Sequence, residues 1–415
     1  MNAEFDIVIL GLTVTSSWGN GHATTWRSLI KGLSSIGYRV LFLERDMPWY
    51  ASNRDNSQPS GAITILYQDV EELRAKFEST VAQASLVIVG SFVPDGIEVG
   101  EWVNSVALGR TAFYDIDTPI TLTKLDENEA DYISRELICQ YDAYLSFTGG
   151  PLLRRIEETY GSPMARALYC SVDIDLYRPR QSSFKWELGY LGTYSDDRQP
   201  SLEELLLTPA RKLRDRQFVV AGAQYPSKIQ WPQNVEHITH LPPAEHPKFY
   251  ASQRFTLNVT REAMKRSGHS PSVRIFEAAA CGVPIISDWW EGLNTVLQIG
   301  RQILVAEGAD DVLRYLTDIA ESERLQIAAA GRQRILSEHT PAIRALQIRR
   351  YLEEMNDNYS SGAARRNRRC WQAAGGQASW LASERNRQGA GEHIGGEAVT
   401  LHHSSDLHQP AGEGC

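Results

Sequence analysis

Short apolar runs alternate with stretches of helical periodicity along the first part of the chain. Residues 5–12 read FDIVILGL, a β-branched run that is typical of a buried parallel strand. From about His22 to Ile36 the apolar residues recur at helical spacing, and Gly37 is a stop signal for that helix. Residues 38–43 then predict a second strand. This order of strand, loop, helix and strand is that of a βαβ unit.

The same alternation continues to residue 147. It predicts strands at 62–67, 86–90, 111–115 and 143–147, and helices at 69–82 and 128–140. Alternating strands and helices indicate a mostly parallel sheet that is covered by helices on both faces.

A second series of the same kind begins near Trp186. It predicts strands at 187–192, 217–221, 235–238, 255–259 and 284–287, and helices at 201–213, 272–281, 309–320 and 342–355. The segment between the two series, 176–185, is polar and contains proline, which is typical of a join. We therefore expect an α/β protein with domains at 1–178 and 179–340, a C-terminal helix at 341–356 and a disordered tail at 357–415.

Composition narrows the class of protein. The 415 residues are 42% hydrophobic and carry a formal net charge of -9, which argues against nucleic acid as the main partner. The 5 cysteines are scattered without a C-x-x-C pair, so neither a zinc site nor a disulfide framework is expected. The N-terminus is acidic rather than basic, and no apolar run reaches the ~18 residues of a transmembrane helix. The expected location is the cytoplasm.

The strongest local signal is HSPSVRIFEAAACGVPIISDWWEGL, residues 269–293. Ser270 is a good N-cap and Pro271 suits the first helical position. A helix that begins in this way offers free backbone N–H groups to a phosphate, with Ser272 and Arg274 beside them. Glu277 lies two turns in, where a carboxylate accepts hydrogen bonds from two vicinal ribose hydroxyls. An ordinary amphipathic helix with a solvated Glu277 explains the same pattern.

This segment resembles the C-terminal domain of GT-B glycosyltransferases, which use nucleotide-sugar donors, and among them the group 1 transferases of the spore maturation protein CgeB type. The resemblance covers roughly residues 6–352. It implies two Rossmann-like domains that face each other across a cleft, with the acceptor in the first and the donor in the second. It also implies that Glu277 is the second Glu of a Glu-x7-Glu motif, on the donor ribose. His269 stands where that motif has its first Glu, which contacts the transferred sugar, so the donor sugar and the stereochemistry stay open.

The loop GLTVTSSWGNGH, residues 11–22, is a second candidate site. Three residues in it allow a close backbone approach to a ligand: Gly19, Asn20 and Gly21. A dinucleotide fingerprint would need a third glycine where Thr24 stands, so no NAD site is expected, although Glu44 ends the second strand where a ribose ligand would lie. The resemblance places this loop in the cleft, with His22 as an acid, base or hydrogen-bond donor. A capping or packing histidine is an equal alternative.

Two carboxylates, Asp115 and Asp117, follow the strand predicted at 111–115. Glycosyl transfer needs a base for the acceptor hydroxyl, or charge that balances an oxocarbenium-like transition state. The resemblance places the acceptor-side base here, with Asp117 ahead of Asp115. An Asp that caps the turn before Pro119 is the alternative, and a metal-binding Asp-x-Asp is another. No metal is expected, because GT-B enzymes generally need none.

Further candidates surround the expected diphosphate. Gly192 and Thr193 follow the first strand of the second series, and Arg198 offers a guanidinium that binds phosphate oxygens in pairs. Lys265 belongs to the basic run TREAMKRSG, which otherwise is a solvated loop. The pair Gly149 and Gly150 follows the strand at 143–147, where it allows either the approach of a ligand or a turn.

These signals predict a metal-independent hexosyl- or other glycosyltransferase. It would move a sugar from a nucleotide-diphosphate donor to a saccharide, protein or small-molecule acceptor, with no cofactor besides that co-substrate. Two alternatives stay open at this stage. One is a nucleotide-sugar epimerase or hydrolase on the same fold, and the other is a non-catalytic coat or interaction protein.

Overall fold

The computed structural model describes residues 4–18 and 21–361. Its first half is a sheet of seven strands, ordered β3-β2-β1-β4-β5-β6-β7, in which every neighbouring pair is parallel. The strands are β1 (Ile7–Gly11), β2 (Val40–Arg45), β3 (Ile63–Tyr67), β4 (Leu86–Gly90), β5 (Arg110–Asp115), β6 (Ala143–Ser146) and β7 (Ala165–Ala167). We call this half the N-lobe.

Helices cover both faces of this sheet, so that every residue of β1 and β4 is buried. They are α1 (His22–Ser35), α2 (Pro48–Ala51), α3 (Val70–Gln83), α4 (Gly96–Val106), α5 (Thr118–Glu127), α6 (Arg135–Ile138) and α7 (Pro151–Tyr160). The unbroken apolar runs of these two strands are explained by burial on both sides.

The second half, which we call the C-lobe, has a sheet of six parallel strands ordered β10-β9-β8-β11-β12-β13. The strands are β8 (Trp186–Leu191), β9 (Phe218–Ala221), β10 (Val235–Ile238), β11 (Gln253–Asn258), β12 (Ile285–Ser287) and β13 (Leu304–Val305). The helices are α8 (Gln199–Leu202), α9 (Thr208–Lys212), α10 (His246–Ala251), α11 (Glu262–Ser267), α12 (Val273–Ala280), α13 (Leu293–Val296), α14 (Ala309–Asp318), α15 (Glu321–Glu338) and α16 (Pro341–Ser360). A π-helical turn, Glu203–Leu207, joins α8 to α9, and a short 3-10 helix, Pro243–Glu245, precedes α10.

Counted within each lobe, the two sheets begin with the same strand order, 3-2-1-4-5-6. That is the order of the Rossmann fold, whose ligands lie outside the carboxyl ends of the strands at the point where the order reverses. The reversal falls between β1 and β4 in the N-lobe and between β8 and β11 in the C-lobe. The predicted α/β architecture of two Rossmann-like units is confirmed.

The last helix, α16, leaves the C-lobe and packs on α1 and β5 of the N-lobe. A Cβ atom at Gly32 of α1 would lie 2.1 Å from the carbonyl oxygen of Pro341, so this approach of the two helices requires glycine. Arg344 donates from Nε to the carbonyl oxygen of Tyr169 at 2.8 Å. Because one apolar cluster also runs through both lobes, α16 and this cluster tie the two halves together.

Two expectations about helices need correction. The helix predicted at 128–140 is absent, because α5 ends at Glu127 with Asn128 in the left-handed region (φ 60°), and only the single turn α6 follows. The helix predicted at 342–355 extends to Ser360, so residues 357–360 are helical rather than part of a tail. The remainder of the predicted tail, from 362 onward, lies outside the described residues.

The described residues also show whether any helix could cross a membrane and whether their cysteines are paired. Among the helices of residues 4–18 and 21–361, none combines the length and the apolar character that crossing a membrane requires. Cys139, Cys170 and Cys281 are free thiols. The domain boundary at 178 and the cytoplasmic location stay predictions.

Candidate active site in the cleft between the lobes

Two cavities with shared lining residues lie between the lobes. The larger opens to solvent and is lined by the loop after β1 on one side and by C-lobe residues on the other. The smaller lies between Phe147 of the N-lobe and the start of α12. Val273 and Arg274 line both cavities. Seven of the predicted donor-site residues line one or the other: Gly192, Thr193, Arg198, Ser270, Ser272, Arg274 and Glu277.

The helix expected to bind phosphate begins at Val273, not at Ser270. Ser272 occupies the N-cap position with an extended backbone, and its hydroxyl donates to Asn258 Oδ1 at 2.6 Å. The hydroxyl of Ser270 is used elsewhere, because it accepts a hydrogen bond from Thr148 of the N-lobe at 2.9 Å. The predicted start was therefore wrong by about one half-turn. The start of α12 still faces the gap between the lobes, since Ser272 and Val273 line the smaller cavity.

Arg274 is 8% exposed and is held in place by neutral groups. Its Nη1 atom donates to Asn258 Oδ1 at 2.8 Å, its Nε atom donates to the carbonyl oxygen of Leu191, and its guanidinium lies over the ring of Tyr190. Gly192 fits beneath it, because a Cβ there would lie 2.7 Å from Nη2. No carboxylate oxygen of the described residues lies within 4.0 Å of this guanidinium.

Arg198 is also buried, at 7% exposed. Its Nη2 atom donates to the carbonyl oxygen of Thr193 at 2.8 Å, while its Nε atom is buried without a hydrogen-bond partner. It likewise has no ion pair within the described ranges. A buried cation without a counter-charge is unfavourable, so the two guanidinium groups at one cavity point to an anionic ligand.

Glu277 is 6% exposed on α12 and lines the larger cavity. Tyr250 donates from its hydroxyl to Glu277 Oε2 at 3.1 Å, and His246 Nδ1 lies 3.6 Å from the same oxygen. Burial first, and then the charge of Glu277, raise the pKa of Tyr250 well above its ordinary value, so that hydroxyl stays a donor. The carboxylate is oriented rather than solvated, which disfavours the alternative of a merely exposed Glu277.

Two predicted C-lobe residues lie elsewhere than expected. Lys265 does not line either cavity, and its Nζ atom lies 3.6 Å from Asp288 Oδ2. His269 adopts a left-handed backbone (φ 49°) with its ring between two glycines of different lobes. A Cβ at Gly150 or at Gly292 would come within 2.3 Å of that ring.

The glycine pair at the end of β6 serves the contact with His269. The Gly149 N–H donates to the carbonyl oxygen of His269 at 2.9 Å, and Gly150 has a positive φ of 64° as it enters α7. This pair therefore allows the two lobes to approach each other. That use was not foreseen from the sequence, which indicated a ligand or a turn.

His22 and Asp117, 95 residues apart, meet in the N-lobe. His22 Nε2 lies 3.3 Å from Asp117 Oδ2, and the two residues are 1% and 0% exposed. His22 is the first residue of α1 and Asp117 precedes α5, so both stand at the carboxyl edge of the sheet. The second ring nitrogen of His22, Nδ1, is buried without a partner. A carboxylate on one ring nitrogen orients the ring and leaves the other nitrogen for proton transfer.

Asp115 stands behind this pair and is fully buried. It accepts hydrogen bonds from the hydroxyl of Tyr144, from Thr121 Oγ1 at 2.8 Å and from the backbone N–H of Asp117 at 3.2 Å. Burial, only partly offset by the Tyr144 and Thr121 hydrogen bonds, raises its pKa to about 6. Asp115 therefore positions Asp117. Asp115, Asp117 and His22 line neither cavity, whereas Gly21, the residue before His22, lines the larger one.

Glu44 holds the loop that follows β1. Its Oε1 atom accepts from the hydroxyls of Thr13 and Thr15, and its Oε2 atom accepts from the backbone N–H groups of Val14 and Thr15. Four donors fill the acceptor sites of the carboxylate, so it has none left for a ribose.

Of the three loop residues proposed to approach a ligand, Gly19 and Asn20 lie outside the described residues, and Gly21 lines the larger cavity. Within residues 4–18 and 21–361, no group of three His, Cys, Asp or Glu side chains is placed to hold a metal ion.

Sequence reasoning missed several residues that shape the site. Asn258, the last residue of β11, orients both Ser272 and Arg274, and Tyr250 orients Glu277. Phe92 is the second residue after β4 and packs edge-on against His22, at 5.6 Å between ring centroids. Asn258 and Phe92 both lie at strand ends next to the points where the strand order reverses. Ligands bind at these points in such sheets, so the position of the two residues could have identified them from the sequence.

A family model described as glycosyl transferase-like matches residues 198–350, most of the C-lobe. The search of curated proteins returned no significant match.

Solved structures resemble the chain over most of its length. Anabaena HepE, solved in complex with UDP and glucose, has a TM-score of 0.63 and 12% identity, and covers 85% of this chain and 100% of its own. Sucrose-phosphate synthase from Thermosynechococcus elongatus has a TM-score of 0.61 and 13% identity over 85% of this chain and 99% of its own. An α-glucosyltransferase in complex with UDP has a TM-score of 0.60 and 10% identity, with 84% and 100% covered. The predicted GT-B fold is thereby confirmed: two Rossmann-like lobes face each other across a cleft, and the C-lobe carries the glycosyl transferase-like match.

Proposed function

We propose that this protein is a glycosyltransferase that transfers a sugar from a nucleoside-diphosphate donor, bound in the C-lobe, to an acceptor hydroxyl in the N-lobe. The observation that carries the proposal is the pair of buried guanidinium groups, Arg198 and Arg274, which lack a carboxylate partner in the described chain beside the start of α12. The glycosyl transferase-like match over residues 198–350 and the neighbours solved with UDP support the same donor class.

The donor diphosphate supplies the counter-charge that the two arginines lack. Guanidinium groups bind phosphate oxygens in pairs, and the N-terminus of α12 adds its dipole to theirs. Negative charge grows on the leaving diphosphate as the glycosidic bond breaks, so these fixed positive groups stabilise the transition state more than the ground state. Glu277, held by Tyr250, accepts hydrogen bonds from the ribose hydroxyls.

The acceptor hydroxyl loses its proton to His22. Asp117 orients the imidazole and stabilises the cation that forms when the proton arrives. The contact between His22 and Asp117 supports His22 as the base, with Asp117 behind it and Asp115 supporting Asp117. Closure of the cleft around the donor would exclude water and limit hydrolysis of the donor.

We further propose that the reaction proceeds without a metal ion. Arg198, Arg274 and the α12 N-terminus are placed to neutralise the diphosphate, which is the task a divalent cation performs in other transferases. Activity should be unchanged in excess EDTA. Loss of activity in EDTA, with recovery on adding Mg²⁺ or Mn²⁺, would contradict this part of the proposal.

We also propose that the protein belongs to the CgeB-like group of these transferases. This proposal rests on the order of the sequence motifs.

The decisive experiment separates the phosphate and ribose contacts. Binding of UDP, ADP, GDP and TDP is measured by calorimetry and thermal shift, where a ligand at ~100 times its Kd adds about 2.7 kcal/mol. The variant Glu277→Gln should weaken the best nucleotide about tenfold but leave its 2′,3′-dideoxy analogue unaffected, because only the ribose hydroxyls meet this carboxylate. Inorganic pyrophosphate should bind Glu277→Gln as well as the unchanged protein, and bind Arg274→Lys more weakly.

The outcomes separate the alternative functions. Sugar transfer requires that nucleoside diphosphate is released from a nucleotide sugar only when an acceptor is present, with the new glycoside detected by mass spectrometry. Release without an acceptor would identify a hydrolase, and no binding of any nucleoside diphosphate would identify a non-catalytic protein.

A further inference from the structure

The carboxyl end of β4 carries an unusual residue. Phe92 has a left-handed backbone, with φ 61°, which is a genuine outlier for a bulky side chain. Backbone of this kind is strained and is retained where the surroundings require it. The residue lies at the point where the N-lobe strand order reverses, beside the loop that carries His22.

The ring of Phe92 is fixed by its neighbours while staying partly exposed. It packs edge-on against His22 and lies 4.4 Å from the ring of Tyr132, measured between centroids. Tyr132 shares a hydrogen bond of 2.8 Å with Thr121, which in turn donates to Asp115. The unusual backbone therefore places an apolar ring beside the imidazole proposed as the base, with the buried network of Asp115 underneath.

A cation also lies near this ring. Lys124 of α5 is half-buried, and its Nζ atom lies 5.5 Å from the centroid of Phe92. It is one turn beyond Thr121, on the same side of α5 as Asp117. Lys124 forms no ion pair with any residue of the described ranges, whereas the exposed Lys76 of the same lobe pairs with Glu72 at 2.5 Å.

The opposite wall of the cleft at this point is also basic. Helix α11 of the C-lobe packs against α5 and carries Lys265 and Arg266 in its last turn. Lys265 forms an ion pair with Asp288, at 3.6 Å between Nζ and Oδ2. Arg266 has no ion pair in the part of the chain that the structure describes. Lys124 and Arg266 are thus cations on two neighbouring helices, one from each lobe, that have no ion pair among the described residues.

We infer that the cleft beside His22 binds an acceptor that is itself anionic: a sugar whose hydroxyl faces His22, whose C–H face packs on Phe92, and whose phosphate or carboxylate pairs with Lys124. His22 Nδ1, buried and without a partner, is the group left for that hydroxyl. Sugar C–H faces pack well on aromatic rings, and an unpaired, half-buried ammonium gains most from an ionised partner. This inference rests on the proposed function and adds the chemical class of the acceptor.

The test is a ligand-observed NMR titration of the protein saturated with its best nucleoside diphosphate, so that Arg198 and Arg274 are already occupied. Glucose 6-phosphate, glucuronate and glucose are compared. We expect at least one charged sugar to bind about 10-fold or more tightly than glucose, which is the size of one charge-assisted contact. Comparing phosphate with carboxylate then decides which anion the site takes.

Three variants assign the effect to residues. Lys124→Met should remove the preference for the charged sugar, and Lys124→Arg should retain most of it. The matched control Lys76→Met should leave it unchanged. Phe92→Gly, which also relieves the left-handed strain, should weaken charged and neutral sugars alike.

The inference is overturned if neither charged sugar is preferred over glucose, or if Lys124→Met leaves a preference in place. A protein that binds a nucleoside diphosphate and gives either result contradicts this inference alone. A protein that binds no nucleoside diphosphate overturns the proposed function, and this inference with it.

Discussion

The two lobes share one strand order but differ in how they use the carboxyl edge of the sheet. In the N-lobe, Glu44 at the end of β2 accepts four hydrogen bonds from the chain's own loop, and Asp115 accepts three. In the C-lobe, Arg198 and Arg274 are buried at the corresponding edge without a carboxylate partner in the described chain. A charge satisfied internally fixes structure, while an unsatisfied one is available to a ligand.

This difference explains why one fold, present twice, provides two kinds of site. The N-lobe uses its carboxylates to fix a loop and to orient His22, so it is suited to acid–base chemistry. The C-lobe keeps a surplus of buried positive charge, so it is suited to a diphosphate. Substitutions in the two lobes should therefore act on different quantities: those in the N-lobe on catalysis and stability, and those in the C-lobe on ligand affinity.

The largest effect is expected at His22. His22→Ala removes the proposed base and should lower kcat by about 10²–10⁴, while the affinity for nucleoside diphosphate stays unchanged. Steady-state kinetics and calorimetry measure the two quantities separately. His22→Gln, which still hydrogen-bonds Asp117, should lose as much activity as His22→Ala. Retention of activity in either variant would remove the base role from His22.

Glu44→Ala should cost about 2–5 kcal/mol of unfolding free energy, because it removes the acceptor of the backbone N–H groups of Val14 and Thr15 and leaves them unsatisfied. Denaturant unfolding measures this loss. Affinity for nucleoside diphosphate should be unaffected in the folded protein. If stability were unchanged, the loop would not depend on this carboxylate and the contrast between the lobes would fail.

Arg198→Met should give the opposite pattern. Removing a buried cation that has one hydrogen bond and no counter-charge should leave the unfolding free energy within about 1 kcal/mol or raise it. The affinity for nucleoside diphosphate should fall by about 10–100-fold, as for a charged hydrogen bond of about 1.5–3 kcal/mol. Calorimetry and denaturant unfolding of the same samples test both parts. Strong destabilisation would show that Arg198 is structural.

The smallest effect concerns Asp115 and pH. Its folded-state pKa, about 6, lies above the unfolded value near 3.8, so the native state binds the proton more tightly. Stability from this group is thus fully present below about pH 4 and is lost as pH rises through about 6. Asp115→Asn, which mimics the protonated acid, should remove this slope from the pH dependence of the unfolding free energy. An unchanged slope would contradict the raised pKa.

Much of the fold followed from local pattern. The strands from β1 to β6 and from β8 to β12 lie within a few residues of the apolar runs that predict them, because a strand buried on both faces must be apolar throughout. The prediction of a helix at 128–140 was wrong, because Asn128 adopts the left-handed conformation that ends α5. Helices α4, α7 and α15 were not anticipated.

For the candidate site, the chain alone indicated which strand ends carry polar residues, and only the tertiary structure decided what each of them contacts. His22 and Asp117 meet across 95 residues of sequence, and Glu44 is used by a loop 29–31 residues earlier. Hydrophobic periodicity can be recognised within a single segment of the sequence. Whether a charged side chain has a partner depends on residues from distant segments, which only folding brings together. For that reason the sequence determined the two Rossmann-like units, while the fold determined that the open positive charge lies in the second and the oriented histidine in the first.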